Sequence, residues 1–176
     1  AAVDLAEAAG ARVHGEILAY EGNFPTDHDQ WVSYVPPIEE MAQTLLNTDT
    51  LLFVGCSTNT TLLPHDDPLV PGDATVIDVG DDAHEVGKHR PAIGVIGDPG
   101  LVMEDLAERV GDRLSPEERE KRLGAVEAMR QFATQRMQSI GEGEAGEDDP
   151  RASKAELVEA MHSVAPDAAI VDEGVT

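Results

Sequence analysis

The stretch ATVIDVGDDAHEVGKHRPAIGVIGDPGLVMEDLAERVG, residues 74–111, decides the fold class. It holds two apolar runs, ATVIDV and AIGVIG, each of strand length and each ending at glycine. A helical pattern, DPGLVMEDLAERVG, follows the second. Strands that read as continuous apolar runs are buried on both faces, the mark of a parallel sheet under helices. Upstream the same alternation holds. AAVDLAEAAGA has helical spacing and stops at Gly10, RVHGEIL is a short strand, PIEEMAQTLLNTD a helix with Pro37 near its start, and TLLFVGC a buried strand. AYEGNFPTDHDQWVSYVPP and STNTTLLPHDDPLVPGD read as loops. The expected fold is therefore α/β, a Rossmann-like parallel sheet with helices on both faces.

Beyond residue 114 the pattern changes. SPEEREKRLGAVEAMRQFATQRMQSI opens with Ser115, Pro116 and Glu118 as a capping box. Its apolar residues Leu123, Val126, Met129, Ala133, Met137 and Ile140 share one face at helical spacing. GEGEAGEDDP is an acidic linker, SKAELVEAMHSVAP a second capped helix, and DAAIVDEGVT a short strand with a glycine-containing exit. The expected divisions are 1–114, a Rossmann-like domain; 115–150, helix and linker; and 151–176, the start of another domain.

Charge bounds the function. The 176 residues carry 35 Asp and Glu against 12 Lys and Arg, a net charge of −23, with only 3% aromatic residues. Such a surface repels itself in dilute buffer, and molar salt, with a Debye length of about 3 Å, removes that cost. A folded protein of a salt-adapted cytoplasm is the expectation. Nucleic acid and anionic membranes, which need basic patches, are excluded as partners. One cysteine, Cys56, allows no internal disulfide. The chain begins without Met and inside a helical pattern, so an excerpt of a longer chain is expected.

Several motifs compete with plain structure. GEGEAG (141–146) follows a helix and precedes acids, so it reads as linker, not as a dinucleotide fingerprint. His84 and His89 in HEVGKH are five apart and do not share a helix face as zinc ligands would. The loop acids around His28 and His65 are expected by composition alone. GDPG (97–100) reads as a turn whose Asp98 caps its own helix, with an anion cradle at the helix amino terminus as the alternative. Gly55 in FVGCST suits either the close approach of a nucleotide or a strand exit.

The order of these segments resembles the thiamine-diphosphate-dependent enzymes of the benzoylformate decarboxylase and acetolactate synthase type. It looks like their middle domain followed by the start of their diphosphate-binding domain. GNFPTDHDQWVSY is similar to the family's F-P-x-x-H-P segment, with Phe24, Pro25 and His28 in place and Asp29 where proline is usual. IDVGDDAHEVG looks like the family's I-D-x-D-x-x-E-I-G. The resemblance implies a parent that decarboxylates a 2-oxo acid or joins it to an acceptor, with thiamine diphosphate and Mg2+ as cofactors. It also implies a homo-oligomer, dimer or tetramer, whose other domains are this one's partners. The decarboxylase branch is preferred, because no FAD signature of the synthase branch is evident. The family's catalytic Glu and its G-D-G…N-N motif have no counterpart in this sequence, so no catalytic or metal residue is assigned. Gly174, Val175 and Thr176 match positions that touch the cofactor diphosphate. No cofactor is expected on this chain alone, which should be inactive. The alternative is a stand-alone module binding FAD or ADP near Gly55 and Gly97, or a structural interaction module. The resemblance also implies a strand ahead of the first helix, central in a sheet of this type, which is expected to be missing here.

Overall fold

The computed structural model describes residues 1–17, 22–56, 66–88, 90–142, 152–166 and 168. Two compact units divide the chain, residues 1–130 and 131–176.

The first unit opens with α1 (Ala2–Ala9), which buries Leu5 and Ala6. Gly10 ends it in the left-handed region (φ 60°), where its amide reaches the carbonyls of Ala6 and Glu7. A Cβ at Gly10 would stand 3.1 Å from Arg119 Cγ and 3.2 Å from Arg122 Cβ, so glycine is needed here for space as well as for backbone freedom. The chain continues into β1 (Val13–Gly15) and β2 (Trp31–Tyr34), which pair in parallel with a bulge between Val13 and His14. Strand β2 corrects the sequence reading, which placed WVSY inside a loop. Its three β-prone residues, Trp31, Val32 and Tyr34, are hidden between Pro-, Gly- and Asp-rich flanks, too short a run to stand out.

Helix α2 (Glu39–Leu46) begins two residues after Pro37 and keeps Glu39 and Glu40 in its first turn. Met41, Ala42, Leu45 and Leu46 form its buried face. Ala42 and Leu46 pack with Val35 and Leu69, and with the partly buried Leu51 and Val70, as the apolar core. The Glu39 carboxylate accepts the Asp66 and Asp67 amides (3.2 and 3.1 Å), anchoring the segment that leads to β4.

Strands β3 (Thr50–Val54), β4 (Thr75–Gly80) and β5 (Ile93–Ile96) form a second parallel sheet in the order β3-β4-β5 with unbroken register. Both sheets are parallel, as the apolar runs require. Coverage is uneven: Ile93 and Ile96 on β5 are exposed, and α3 (Pro99–Gly111) buries no residue fully. Asp98 accepts the Leu101 amide (3.1 Å) and so caps α3.

Helix α4 (Pro116–Glu142) runs through the residue where the two units divide. Ser115 Oγ accepts the Glu118 amide (3.2 Å), as its capping sequence requires. Of its expected apolar face, Val126 and Ala133 are buried, whereas Leu123 and Met137 are exposed. In the first unit, Arg122 Nη1 donates to the Ala9 carbonyl (3.2 Å), placing positive charge at a helix end that has no basic residue of its own. In the second unit, α5 (Lys154–Val164) has the full capping box, Glu156 N to Ser153 Oγ (3.1 Å) and Ser153 N to Glu156 Oε2 (2.7 Å). Those bonds hold the Glu156 carboxyl below the usual carboxylate range. No helix among the described residues is long and apolar enough to cross a membrane.

Candidate functional site

In open parallel sheets, ligands bind beyond the carboxyl ends of the strands. Here that end carries a shallow depression of about 90 Å³ whose lining includes Gly55, Asp78, Gly80, Asp81, Asp82 and Glu85. Gly55 leaves β3 with φ 61°, a conformation that side chains seldom adopt, and its amide donates to the Val79 carbonyl (2.8 Å). Asp78 lies in β4, 2% exposed, and accepts the Gly87 amide at 3.3 Å. That bond folds the β4–β5 connection back over the strand end. Asp82 Oδ1 holds the connection's first turn through the His84 amide (2.8 Å), and Lys88 pairs with Glu85 at 2.6 Å.

Electrostatics decide what this depression suits. Four carboxylates line it, from Asp78, Asp81, Asp82 and Glu85, and the nearby Lys88 is taken up by Glu85. Hydroxyl or amine donors would be accepted, whereas phosphate would be repelled. The sequence flagged this run through its family motif. It did not foresee that Gly87 would bring Glu85 and Val86 back against the end of β4.

Other expected features have structural uses. His28 Nε2 lies 3.4 Å from Glu7 Oε1, its Nδ1 accepts the Gln30 amide (3.1 Å), and Phe24 meets the ring edge-on at 5.2 Å. Phe24, Pro25 and His28 therefore build the turn ahead of β2. Asp66 and Asp67 are tied to Glu39, and Asp98 is a helix cap, so no cation or anion role is needed to account for them. The Cys56 thiol is half-buried rather than enclosed and donates to Glu16 Oε2 at 3.4 Å. His65, His89, the GEGEAG run beyond Glu142, and Gly174, Val175 and Thr176 lie outside the described residues.

Two features escaped the sequence reading. Gln30, 3% exposed, donates to the carbonyls of Ala6 and Ala11, both at 2.7 Å, tying β2 to the end of α1. His14 has its ring nitrogens buried without hydrogen-bond partners. Burial first, and the charge of Arg12 second, push its pKa down to about 4; the Ser33 backbone opposes this without reaching hydrogen-bond geometry. Nothing in the residue pattern distinguishes that histidine from an exposed one.

The sequence matches the central domain of thiamine pyrophosphate enzymes over residues 1–106. The chain belongs to that family. Solved structures agree on the fold. A thiamine diphosphate-dependent 4-hydroxybenzoylformate decarboxylase from Rhodococcus jostii superposes with TM-score 0.57 at 28% identity, over 65% of this chain and 22% of that one. A protein described as a thiamin diphosphate-dependent enzyme from Mycobacterium smegmatis gives 0.55 at 22% identity, over 65% and 23%. Benzoylformate decarboxylase from Polynucleobacter necessarius gives 0.50 at 19%, over 61% and 20%. The matched part thus spans less than a quarter of each of these chains. A comparison with curated proteins gives no match.

Thiamine pyrophosphate enzymes carry a diphosphate cofactor, and the described residues do not fit one. The depression meets it with carboxylates, and no described group of three His, Cys, Asp or Glu side chains could hold a metal ion.

Proposed function

We propose that this chain supplies the non-catalytic central domain of a thiamine-diphosphate-dependent 2-oxo acid decarboxylase or carboligase, on the benzoylformate decarboxylase side of the family. The observation that carries the reading is the central-domain match over residues 1–106, joined to the 28% identity with a 4-hydroxybenzoylformate decarboxylase. Residues 1–114 form the central domain, 115–150 a helix and linker, and 151–176 lead into the diphosphate-binding domain. There Gly174, Val175 and Thr176 offer backbone groups and a hydroxyl to the cofactor of the parent enzyme, which uses Mg2+ and works as a cytoplasmic homo-oligomer. Alone, the chain has no turnover. Incubated with thiamine diphosphate, Mg2+ and benzoylformate, it should release no carbon dioxide; release by this chain would overturn the proposal.

The acidic strand ends also favour a domain without a dinucleotide. Calorimetry with FAD, NAD and ADP should show no micromolar binding. Such binding would favour the nucleotide-module or acetolactate synthase-like reading instead. Salt adaptation is part of the proposal. Between about 0.1 M and 1 M KCl the Debye length falls from ~10 to ~3 Å, and the urea midpoint should rise with it; a midpoint that falls would count against a salt-adapted surface.

A further inference from the structure

One buried residue joins α1, β1 and the turn ahead of β2. Gln30, 3% exposed, accepts the Val13 amide of β1 through its carbonyl (2.8 Å). Its side-chain amide donates to the carbonyls of Ala6 in α1 and Ala11 just beyond it, both at 2.7 Å. Its backbone amide donates to His28 Nδ1 (3.1 Å) and has no second acceptor among the described residues. The junction therefore rests on a ring nitrogen that can titrate.

That bond fixes the state of the ring. A ring nitrogen that accepts carries no proton, so the neutral His28 ring has its proton on Nε2. Nε2 lies 3.4 Å from Glu7 Oε1, as a donor would. Around the ring the turn closes on itself. His28 N donates to the Pro25 carbonyl (3.2 Å), Trp31 N donates to the His28 carbonyl (2.9 Å), and Phe24 stands edge-on to the imidazole. Of the charged groups nearby, Glu7 of α1 faces the ring. Asp27 and Asp29 flank it in the turn and are exposed, and Arg130 of α4 pairs with Asp29 at 3.7 Å rather than with the ring.

We propose that His28 is a proton-operated latch on this junction: the neutral ring holds the Gln30 amide, and a proton arriving at Nδ1 releases it. The protonated ring has donors at both nitrogens. At Nε2 the new charge strengthens the contact with Glu7. At Nδ1 it sets one N–H against another, and a buried amide loses its acceptor. The charged ring thus stays with α1 and lets go of the entry to β2. What opens is the amino end of the β1-β2 pairing, because the carbonyl of the same glutamine takes the Val13 amide. His14 is a different case: its ring nitrogens hold no partner, so a proton there breaks no bond.

Nuclear magnetic resonance of the intact chain at about pH 8 and about pH 5, either side of the ordinary imidazole titration, tests the latch. At the higher pH, the ring nitrogen shifts should show Nε2 protonated and Nδ1 bare. At the lower pH, with the ring charged, the hydrogen-exchange protection factor of the Gln30 amide should fall about tenfold. That of the Val13 amide should fall with it, while the Val79 amide in the other sheet keeps its own. His28→Asn is the variant that decides. Its Oδ1 stands where Nδ1 does, accepts the same amide as asparagine does in turns, and does not titrate. It should hold the Gln30 protection factor level across the range. The opposite tautomer at the higher pH, a ring still neutral at the lower, or Gln30 protection that survives ring protonation would each overturn the latch. So would a fall shared equally by Val79, or one as large in His28→Asn, since either assigns the loss to something other than the ring.

Discussion

The two sheets of this chain are built from the same kind of pairing and differ in almost everything else. The sheet β3-β4-β5 has unbroken register, and its residues Phe53, Val76 and Val79 are buried. The sheet β1-β2 has a bulge, no fully buried residue, and two side chains with buried, unpartnered polar atoms, His14 and Ser33. It also holds Trp31 and Tyr34, with ring centroids 5.1 Å apart edge to face. Burial of aliphatic surface at about 25 cal/mol per Å² favours the first sheet. The second relies on aromatic contact and on side-chain ties such as Gln30. Stability should therefore be unequal, and β1-β2 should be the first to open.

The largest expected effect lies in α2, outside both sheets. Leu45 of α2 is 0% exposed. Leu45→Ala should cost about 3 kcal/mol, within the range of 2–5 for a buried leucine, read as a fall in the urea midpoint at unchanged slope. A much smaller loss would mean that α2 is not where the stability resides.

Acid probes the sheet β1-β2. The His14 pKa is pushed down to about 4 by burial and then by Arg12. Unfolded, the ring titrates near 6.5. Above that pH it is neutral in both states and stability is full. As pH falls toward 4, the unfolded chain takes a proton that the folded chain refuses, and up to about 3 kcal/mol is lost. His14→Phe should flatten this part of the profile, measured as urea midpoints from pH 7 to pH 4. The difference between variant and parent isolates His14 from the carboxylates, whose protonation acts on both proteins alike. An identical slope in the two would show that the ring is hydrated.

What the sequence revealed follows the same division. The runs 50–56, 74–80 and 92–97 are apolar and of strand length, so β3, β4 and β5 were legible, although Ile93 and Ile96 of β5 stay exposed. Helices α3 and α5 announced themselves through Asp98 and Ser153. Strand β2 was not legible, because four residues between turn-formers carry too little period. The depression at the strand ends was half legible. Asp78 and Glu85 are seven apart in the chain, and a tertiary bond from Gly87 to Asp78 helps to fold the connection back and enclose it. Gly174, Val175 and Thr176 rest on resemblance alone, since no residue pattern marks a backbone contact.

Glycine substitution sharpens the contrast at smaller scale. A Cβ on Gly15 would lie 2.7 Å from both Trp31 and Tyr34. The rings must shift to admit it, so Gly15→Ala should cost roughly 1–3 kcal/mol by overpacking. On the other sheet, a Cβ on Gly94 would meet Val86 Cγ1 at 3.1 Å, in an exposed position. Gly94→Ala should cost well under that, about 0.5 kcal/mol. Near-ultraviolet circular dichroism should report loss of the Trp31–Tyr34 signal in the first variant and not in the second. Equal urea midpoints would remove the distinction in packing.

A further small effect concerns how β5 passes into α3. That helix buries none of its residues fully, so its amino end depends on Asp98 more than a well-packed helix would. Asp98→Ala should cost about 1 kcal/mol, the usual loss for a cap. Asp98→Asn should restore most of it, because the amide oxygen can accept the same Leu101 amide. The pair of variants also distinguishes the two readings of GDPG. If the turn is only a cap, phosphate should leave the urea midpoint of the parent unchanged. If it cradles an anion, phosphate should raise that midpoint, and Asp98→Asn, by removing a negative charge, should increase the rise. The observed bond favours the first outcome, since the Asp98 carboxylate already occupies the position an anion would take at the helix amino terminus.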